Sequence, residues 1–349
     1  MTRDETRSQF LLAAGIRPDR ATPLAGDASN RRYLRIADTQ QILMDAPPER
    51  GEDVRPFVAV TNWLREHGFS APRIDSEDLE HGFLLLEDLG DRLYRDVCAK
   101  TPSDEEHLYS QAIDVLAAIG RVPVPQALPL GAEHLALASY DETVLLREAR
   151  LAIDWYRAGV LGDQVSLDLI DAFNEVIASA MIPVADTRQV VVLRDYHAEN
   201  LIWLPERTSN GRVGLLDYQD ALGGHPAYDL VSLLEDARRD TSEALREAML
   251  SRYTDQASAD PAAFRLDYAC LGAQRNLKII GIFARLAMRD GKGHYPALIP
   301  RVWAHLQRDL AHPALRTLRD FVAEHLPEPD ASALDKLRLA AKRPVGWTA

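Results

Sequence analysis

Short apolar runs broken by turn residues fill the first quarter of the chain, and longer runs at helical spacing fill most of the rest. Positions 10–16 give a short helix signal. Positions 22–24, the alternating run 33–36 and the run 41–44 read as three short strands, with the turn-rich stretch Gly26-Asp27-Ala28-Ser29-Asn30 between the first two. Positions 56–67 set Phe57, Val60, Trp63 and Leu64 at helical spacing. A buried strand at 83–86 then leads into Glu87-Asp88-Leu89-Gly90. Helices follow at 103–119, where Asp104, Glu105 and Glu106 suit the positive end of the helix dipole, at 141–158, and at 166–180 with Ser166 as N-cap. Pro123, Pro125 and Pro129 mark a loop between the first two of these helices. The apolar runs 201–204 and 213–216, separated by Pro205 and Ser209-Asn210-Gly211, predict a hairpin. A helix starts at 228–234, and Leu277, Ile280, Ile282, Phe283 and Leu286 make a strongly apolar one. The pattern is α+β, a small sheet-based part followed by a mostly helical part.

Composition narrows the class. With 349 residues, 46% of them hydrophobic, the chain can build a large core and fits two lobes or domains. A net charge of −13 argues against a nucleic-acid partner. No apolar run approaches the ~18 residues of a membrane span, and the opening MTRDETRSQF has no apolar signal core. Cys98 and Cys270 are far apart and form no metal motif, which points to thiols in a reducing cytoplasm.

The segment 190–220 carries the chemistry. After the apolar run 190–193 come Arg194, Asp195, Tyr196 and His197, with Asn200 five positions beyond Asp195; the run 213–216 then delivers Asp217. Asn200 lies just before the first strand of the hairpin, Asp217 just after the second, and Asp195 in the loop that enters it, so all three can converge at one end. Phosphoryl transfer asks a protein mainly to position groups and neutralise charge. Asp217 and Asn200 offer oxygen ligands to Mg²⁺, a hard cation. Asp195 is placed to accept the proton of an attacking hydroxyl. Each residue singly could also be an ordinary turn cap.

RDYHAEN followed by LLDYQDA resembles the catalytic and metal-binding loops of the aminoglycoside phosphotransferase family, relatives of the protein kinases. Leu193 stands where that pattern often has His. The resemblance implies a protein-kinase-like two-lobed fold, with a small antiparallel N-lobe at 1–88 and a helical C-lobe at 89–326; the stretch 327–349 falls outside the resemblance and reads as a loosely attached tail with one short helix. It implies ATP and Mg²⁺, with Asp195 catalytic and Asn200 and Asp217 on the metal. It places Gly26, Ser29 and Asn30 in a loop covering the nucleotide, and backbone groups around Glu87 and Leu89 against the purine. It likens Asp229 to an acid that braces the catalytic loop; an ordinary first-turn helix acid is the equal alternative. One departure stands out. Kinase-like enzymes carry a phosphate-pairing Lys on the third strand, and here the strand reads QILMDAPPE with none at Met44 or Asp45. Arg31, Arg32 and Arg35 are the nearest cations in sequence, with Arg31 or Arg32 favoured as a phosphate ligand; solvated strand arginines are the alternative.

GDASNRRYLRI, MDAPPE and QRNLKIIGIFARLAMRDGK further resemble the branch of sugar kinases that phosphorylate N-acetylmuramate and N-acetylglucosamine at the anomeric carbon in cell-wall recycling. The expected partners are therefore a small amino sugar and ATP, with no nucleic acid and no membrane. His197, Gln219, Asp220, Arg285 and Tyr156 are the candidate sugar contacts, and Arg285 or Arg275 would meet the muramate carboxylate. Aminoglycoside phosphorylation, phosphorylation of another small alcohol such as choline or homoserine, and a nucleotide-binding pseudokinase module are the competing readings.

Overall fold

Five antiparallel strands, β1 (Ala21–Pro23), β2 (Arg32–Ile36), β3 (Gln41–Asp45), β4 (Ile74–Asp78) and β5 (Phe83–Glu87), form one sheet in the order β1-β2-β3-β5-β4. The computed structural model describes residues 2–24, 30–185 and 187–340. Gly26 and Ser29 lie outside them. The chain forms two compact units, the first comprising Met1–Ala118, Pro125–Leu137 and Leu193–Ala221 and the second Ile119–Val124, Ala138–Val192 and Leu222–Ala349.

In the first unit the helix α1 (Arg3–Ala13) opens with a capping box between Thr2 and Glu5. Its Phe10 and Leu11 join Leu34, Ile36, Leu43, Phe83 and Leu85 in one apolar cluster. The helix begins seven residues before the apolar signal at 10–16 because its first turns carry only polar side chains. β3 alternates as a strand must, so Leu43 faces that cluster and Asp45 shares its side. Arg3 reaches Asp45 at 2.6 Å and Arg7 at 3.3 Å, which compensates a carboxylate only 2% exposed. The helix α2 (Arg55–Glu66) buries Phe57, Val60, Trp63 and Leu64 as its spacing foretells. β4, Ile-Asp-Ser-Glu-Asp, has no apolar signature; it pairs only with β5 as an edge strand and leaves Asp75 and Glu77 in solvent. The proline-marked loop contains a second small hairpin, Ala127–Leu130 with Glu133–Ala136.

The second unit is helical around the long helix Pro261–Met288, capped by the Asp260 side chain on the Ala263 N–H at 2.7 Å. The stretch expected to be one helix at 141–158 is instead Glu142–Ala149, a π-helical turn at Ala152–Arg157 and Ala158–Leu161. The interruption sits where Gly281 meets the chain: a Cβ there would lie 2.2 Å from the Leu151 carbonyl carbon. Ala331–Ala340 corrects the expectation of a loosely attached tail. Leu337 is fully buried, and Lys336 Nζ donates to the Val160 carbonyl at 2.9 Å. No helix among the described residues is long and apolar enough to cross a membrane.

Two buried acids tie this unit together. Asn276 Nδ2 on the long helix donates to Glu235 Oε2 at 2.7 Å and to Asp309 Oδ2 at 2.9 Å. Gly272, one turn away, leaves room for the Asp309 carboxylate, which a Cβ would meet at 2.6 Å. Tyr268 and Arg308 also reach Glu235. Burial, and then the Glu235 carboxylate, hold the Asp309 carboxyl well above the ordinary aspartate value of 3.8.

Two outcomes are expected. In an exposed helix Gly→Ala stabilises by about 1 kcal/mol, but Gly281→Ala drives a methyl into backbone and should destabilise by about 1–3 kcal/mol, read from urea unfolding. Because the folded state holds the Asp309 proton more tightly than the unfolded chain, that contribution is complete below pH 3.8 and fades as pH rises through the raised folded value. Asp309→Asn keeps the neutral form, so its stability should decline less than the wild type's across that window in a series of unfolding curves from pH 4 to 9.

Candidate phosphoryl-transfer site

The segment Leu193–Ala221 lies wholly in the first unit. Its core is the antiparallel pair Leu201–Trp203 with Val213–Leu215, the hairpin read from the sequence. Neighbouring backbone fixes it on both sides. The Leu215 N–H donates to the Ser70 carbonyl at 3.0 Å, and Ser70 Oγ donates to the Gly211 carbonyl at 2.7 Å. The Trp203 N–H donates to the Arg92 carbonyl at 2.8 Å, and the Arg95 N–H to that of Ala198 at 3.0 Å. Gly214 has no side chain to intrude on this packing; a Cβ there would stand 3.1 Å from Leu89.

Both ends of the hairpin carry left-handed backbone at non-glycine residues, Arg194 at φ 71° and Asp217 at φ 57°. Such residues are uncommon and recur where geometry is held for function. Here one precedes Asp195 and the other is Asp217 itself. Aspartate tolerates this conformation better than most side chains.

Asn200 joins the two ends. Its Nδ2 donates to the Asp195 carbonyl at 2.9 Å and stands 3.5 Å from Asp217 Oδ2 and 3.4 Å from His197 Nε2. Gln219 Nε2 donates to Asp217 Oδ1 at 2.9 Å. Asp217 is 40% exposed, and Arg31 NH1 lies 3.9 Å from its Oδ1. The structure thus brings together Asp195, His197, Asn200, Asp217, Gln219 and Arg31. Asp220 is exposed beside them in sequence. The donor set fits Mg²⁺, which keeps several waters and takes only one or two carboxylates. No cluster of three or more His, Cys, Asp or Glu suited to a closed metal cage exists among the described residues.

Two buried tyrosines anchor the segment. Tyr196 donates its hydroxyl to the Ala112 carbonyl at 2.8 Å. The Tyr218 hydroxyl meets Thr61 Oγ1 at 2.7 Å, Thr61 donates to the Phe57 carbonyl, and the Tyr218 ring stacks on Phe57 with centroids 5.1 Å apart. Burial raises the Tyr218 phenol far above its usual value, so it stays a neutral hydrogen-bonding group. Sequence reading did not single out these anchors, although an aromatic following each key acid, in RDYH and LDYQ, is the signal that marks them.

Other candidates fall elsewhere. Glu87 is held by Arg207 at 2.6 Å, and its N–H is committed to the Arg73 carbonyl, so a purine contact through that donor is excluded. The Leu89 N–H makes no hydrogen bond among the described residues. Asn30 donates its N–H to Glu52 Oε1 and its Nδ2 to the Arg50 carbonyl, and Arg32 is exposed. Arg35 is locked bidentately by Asp88 and Asp91. Tyr156 is corrected: it is fully buried in the second unit with its hydroxyl on the Pro327 carbonyl, and offers nothing to a substrate. Arg285, half-buried in the same unit, has an Nε with no hydrogen-bond partner among the described residues. Asp229 is buried in the helix Ala227–Leu234.

A family model described as the phosphotransferase enzyme family matches residues 20–266. The chain is 37% identical to the N-acetylmuramate/N-acetylglucosamine kinase of Caulobacter vibrioides, over 93% of this chain and 97% of that protein. It is 37% identical to the protein of the same name from Pseudomonas aeruginosa, over 93% and 95%. Among solved structures, the aminoglycoside phosphotransferase APH(2'')-Ib bound to ADP aligns with a TM-score of 0.59 at 15% identity, covering 87% of this chain and 96% of that one. A choline/ethanolamine kinase family protein from Mesorhizobium loti aligns with a TM-score of 0.59 at 13% identity, covering 97% and 100%. These last two likenesses are of fold, and they bear out the kinase-like architecture.

Tyr218→Phe should destabilise the protein by about 1–2 kcal/mol, since the Thr61 hydroxyl keeps its Phe57 carbonyl but loses one buried partner. A double-mutant cycle with Thr61→Val, measured by urea unfolding, should return a coupling of about 1 kcal/mol.

Proposed function

The chain belongs to the phosphotransferase enzyme family, and from that premise we propose that it transfers the γ-phosphoryl group of ATP to the anomeric hydroxyl of N-acetylmuramate or N-acetylglucosamine. The phosphotransferase activity rests on the family; the acceptor rests on relatives of that name that match almost the whole chain. The single observation that supports the catalytic assignment is the convergence at Asn200, whose amide bonds the Asp195 backbone and approaches the Asp217 carboxylate.

Asp195, half-buried at the mouth of the hairpin, takes the role of the base that orients the C1 hydroxyl and accepts its proton. An anomeric hydroxyl is more acidic than an ordinary alcohol, which eases proton transfer to a positioned carboxylate. Asp217 and Asn200 Oδ1 would hold Mg²⁺, which when bound neutralises phosphate charge. Gln219 fixes the rotation of the Asp217 carboxylate from the opposite side to Asn200. The Leu89 N–H is the donor we assign to the purine. His197, Gln219 and Asp220 remain the proposed sugar contacts. A kinase of this kind works where ATP is made, which supports a cytoplasmic site of action, in keeping with two buried cysteines.

Incubation with ATP, Mg²⁺ and each sugar, followed by phosphorus NMR, should yield an anomeric sugar 1-phosphate. Kanamycin or choline as the only phosphorylated acceptor would overturn the substrate. Asp195→Asn should lower kcat by roughly 10²–10⁴ with the fold unchanged by circular dichroism; near-wild-type turnover would remove Asp195 from its role.

A further inference from the structure

Arg31 stands between two carboxylates of its own unit. Its Nε donates to Glu52 Oε2 at 2.8 Å, and its NH1 is 3.9 Å from Asp217 Oδ1. The two side chains of the Arg31–Glu52 pair are only 15% and 13% exposed, so the pair is shielded from water and less weakened by salt than a surface one. Glu52 Oε1 also accepts the Asn30 N–H at 3.2 Å, so one carboxylate holds two consecutive residues at the start of β2. Tyr33 borders the same cluster; burial and the Asp217 carboxylate push its phenol up to about 12, leaving it neutral.

The other arginines of α1 and β2 are held by other acids or face solvent. Arg3 and Arg7 are bound to Asp45, and Arg35 to Asp88 and Asp91. Arg32 points to solvent. Met44, on the neighbouring strand opposite Tyr33, is buried and carries no charge. A polyphosphate brought to Asp217 would therefore add anions to a place that already holds Asp217 and Glu52, with Arg31 a cation within 4 Å of Asp217.

We infer that Arg31, oriented by Glu52, is the phosphate-binding cation of this chain, its guanidinium lying beside Asp217 until the nucleotide phosphates and their metal draw it away from that carboxylate. This rests on the phosphotransferase reading. The planar fork of Arg suits a bidentate phosphate contact. Glu52, by holding Nε, sets the plane of the guanidinium. Glu52 acts through Arg31 and is a positioning residue.

The test is calorimetric titration of the purified protein with a non-hydrolysable ATP analogue plus Mg²⁺ and, separately, with adenosine. Arg31→Ala should weaken the triphosphate by roughly tenfold or more while leaving adenosine unchanged, as loss of a charge-assisted contact requires. Arg32→Ala should stay within about twofold, because a solvated charge contributes little. Glu52→Gln should raise KM for ATP several-fold with a smaller change in kcat, and Glu52→Asp should recover part of it. Equal loss of adenosine and triphosphate in Arg31→Ala, or unchanged triphosphate affinity, would overturn the inference alone. Absence of nucleotide binding by the wild type would overturn the phosphotransferase reading and this inference with it.

Discussion

The buried hydrogen bond between the Tyr218 hydroxyl and Thr61 Oγ1, 2.7 Å long, ties the turn that carries Asp217 to the helix Arg55–Glu66. That turn is left-handed at an aspartate, a conformation uncommon outside glycine that aspartate tolerates better than most residues. The stacked Phe57 ring, the Tyr196 bond to Ala112 and the backbone bonds to Ser70, Arg92 and Arg95 all act in the same sense: they fix a strained hairpin end against rigid helices and neighbouring chain. With the backbone fixed, the short side chains Asn200 and Gln219 can set the Asp217 carboxylate from two sides. Precision of this kind matters for a reaction in which the protein supplies mostly position and charge.

Charge is distributed with similar care. Strand β3 carries an acid, Asp45, which α1 neutralises with Arg3 and Arg7 on the side facing the apolar cluster. The arginines of β2 divide between partners: Arg35 goes to Asp88 and Asp91, Arg31 to Glu52 and toward Asp217. Each of these arginines therefore has an assigned anion, and the missing strand lysine does not leave the unit without positive charge near Asp217.

Much of this was legible in the sequence where residue type and spacing act locally. The hairpin followed from its apolar runs and turn residues, and Asp195, Asn200 and Asp217 from their positions around it. Long-range pairings were not legible. Nothing in the string says that Glu52 reaches Arg31, that Thr61 meets Tyr218, or that Tyr156 turns its hydroxyl inward to Pro327, because each depends on how distant elements pack. β4 escaped detection because an edge strand exposed to water need not alternate apolar and polar residues. The helix expected at 141–158 is interrupted where a glycine more than a hundred residues later comes against its backbone, a long-range contact that no local pattern announces.

The sheet of the first unit is open, and open sheets invite a second copy to add a strand. One edge, β4, presents charged side chains at alternate positions, Asp75 and Glu77 among them. The other, β1, ends in Pro23, which has no N–H to contribute to a ladder. A chain held at high concentration can thus keep a five-stranded sheet unclosed and still resist edge-to-edge association through these two short strands.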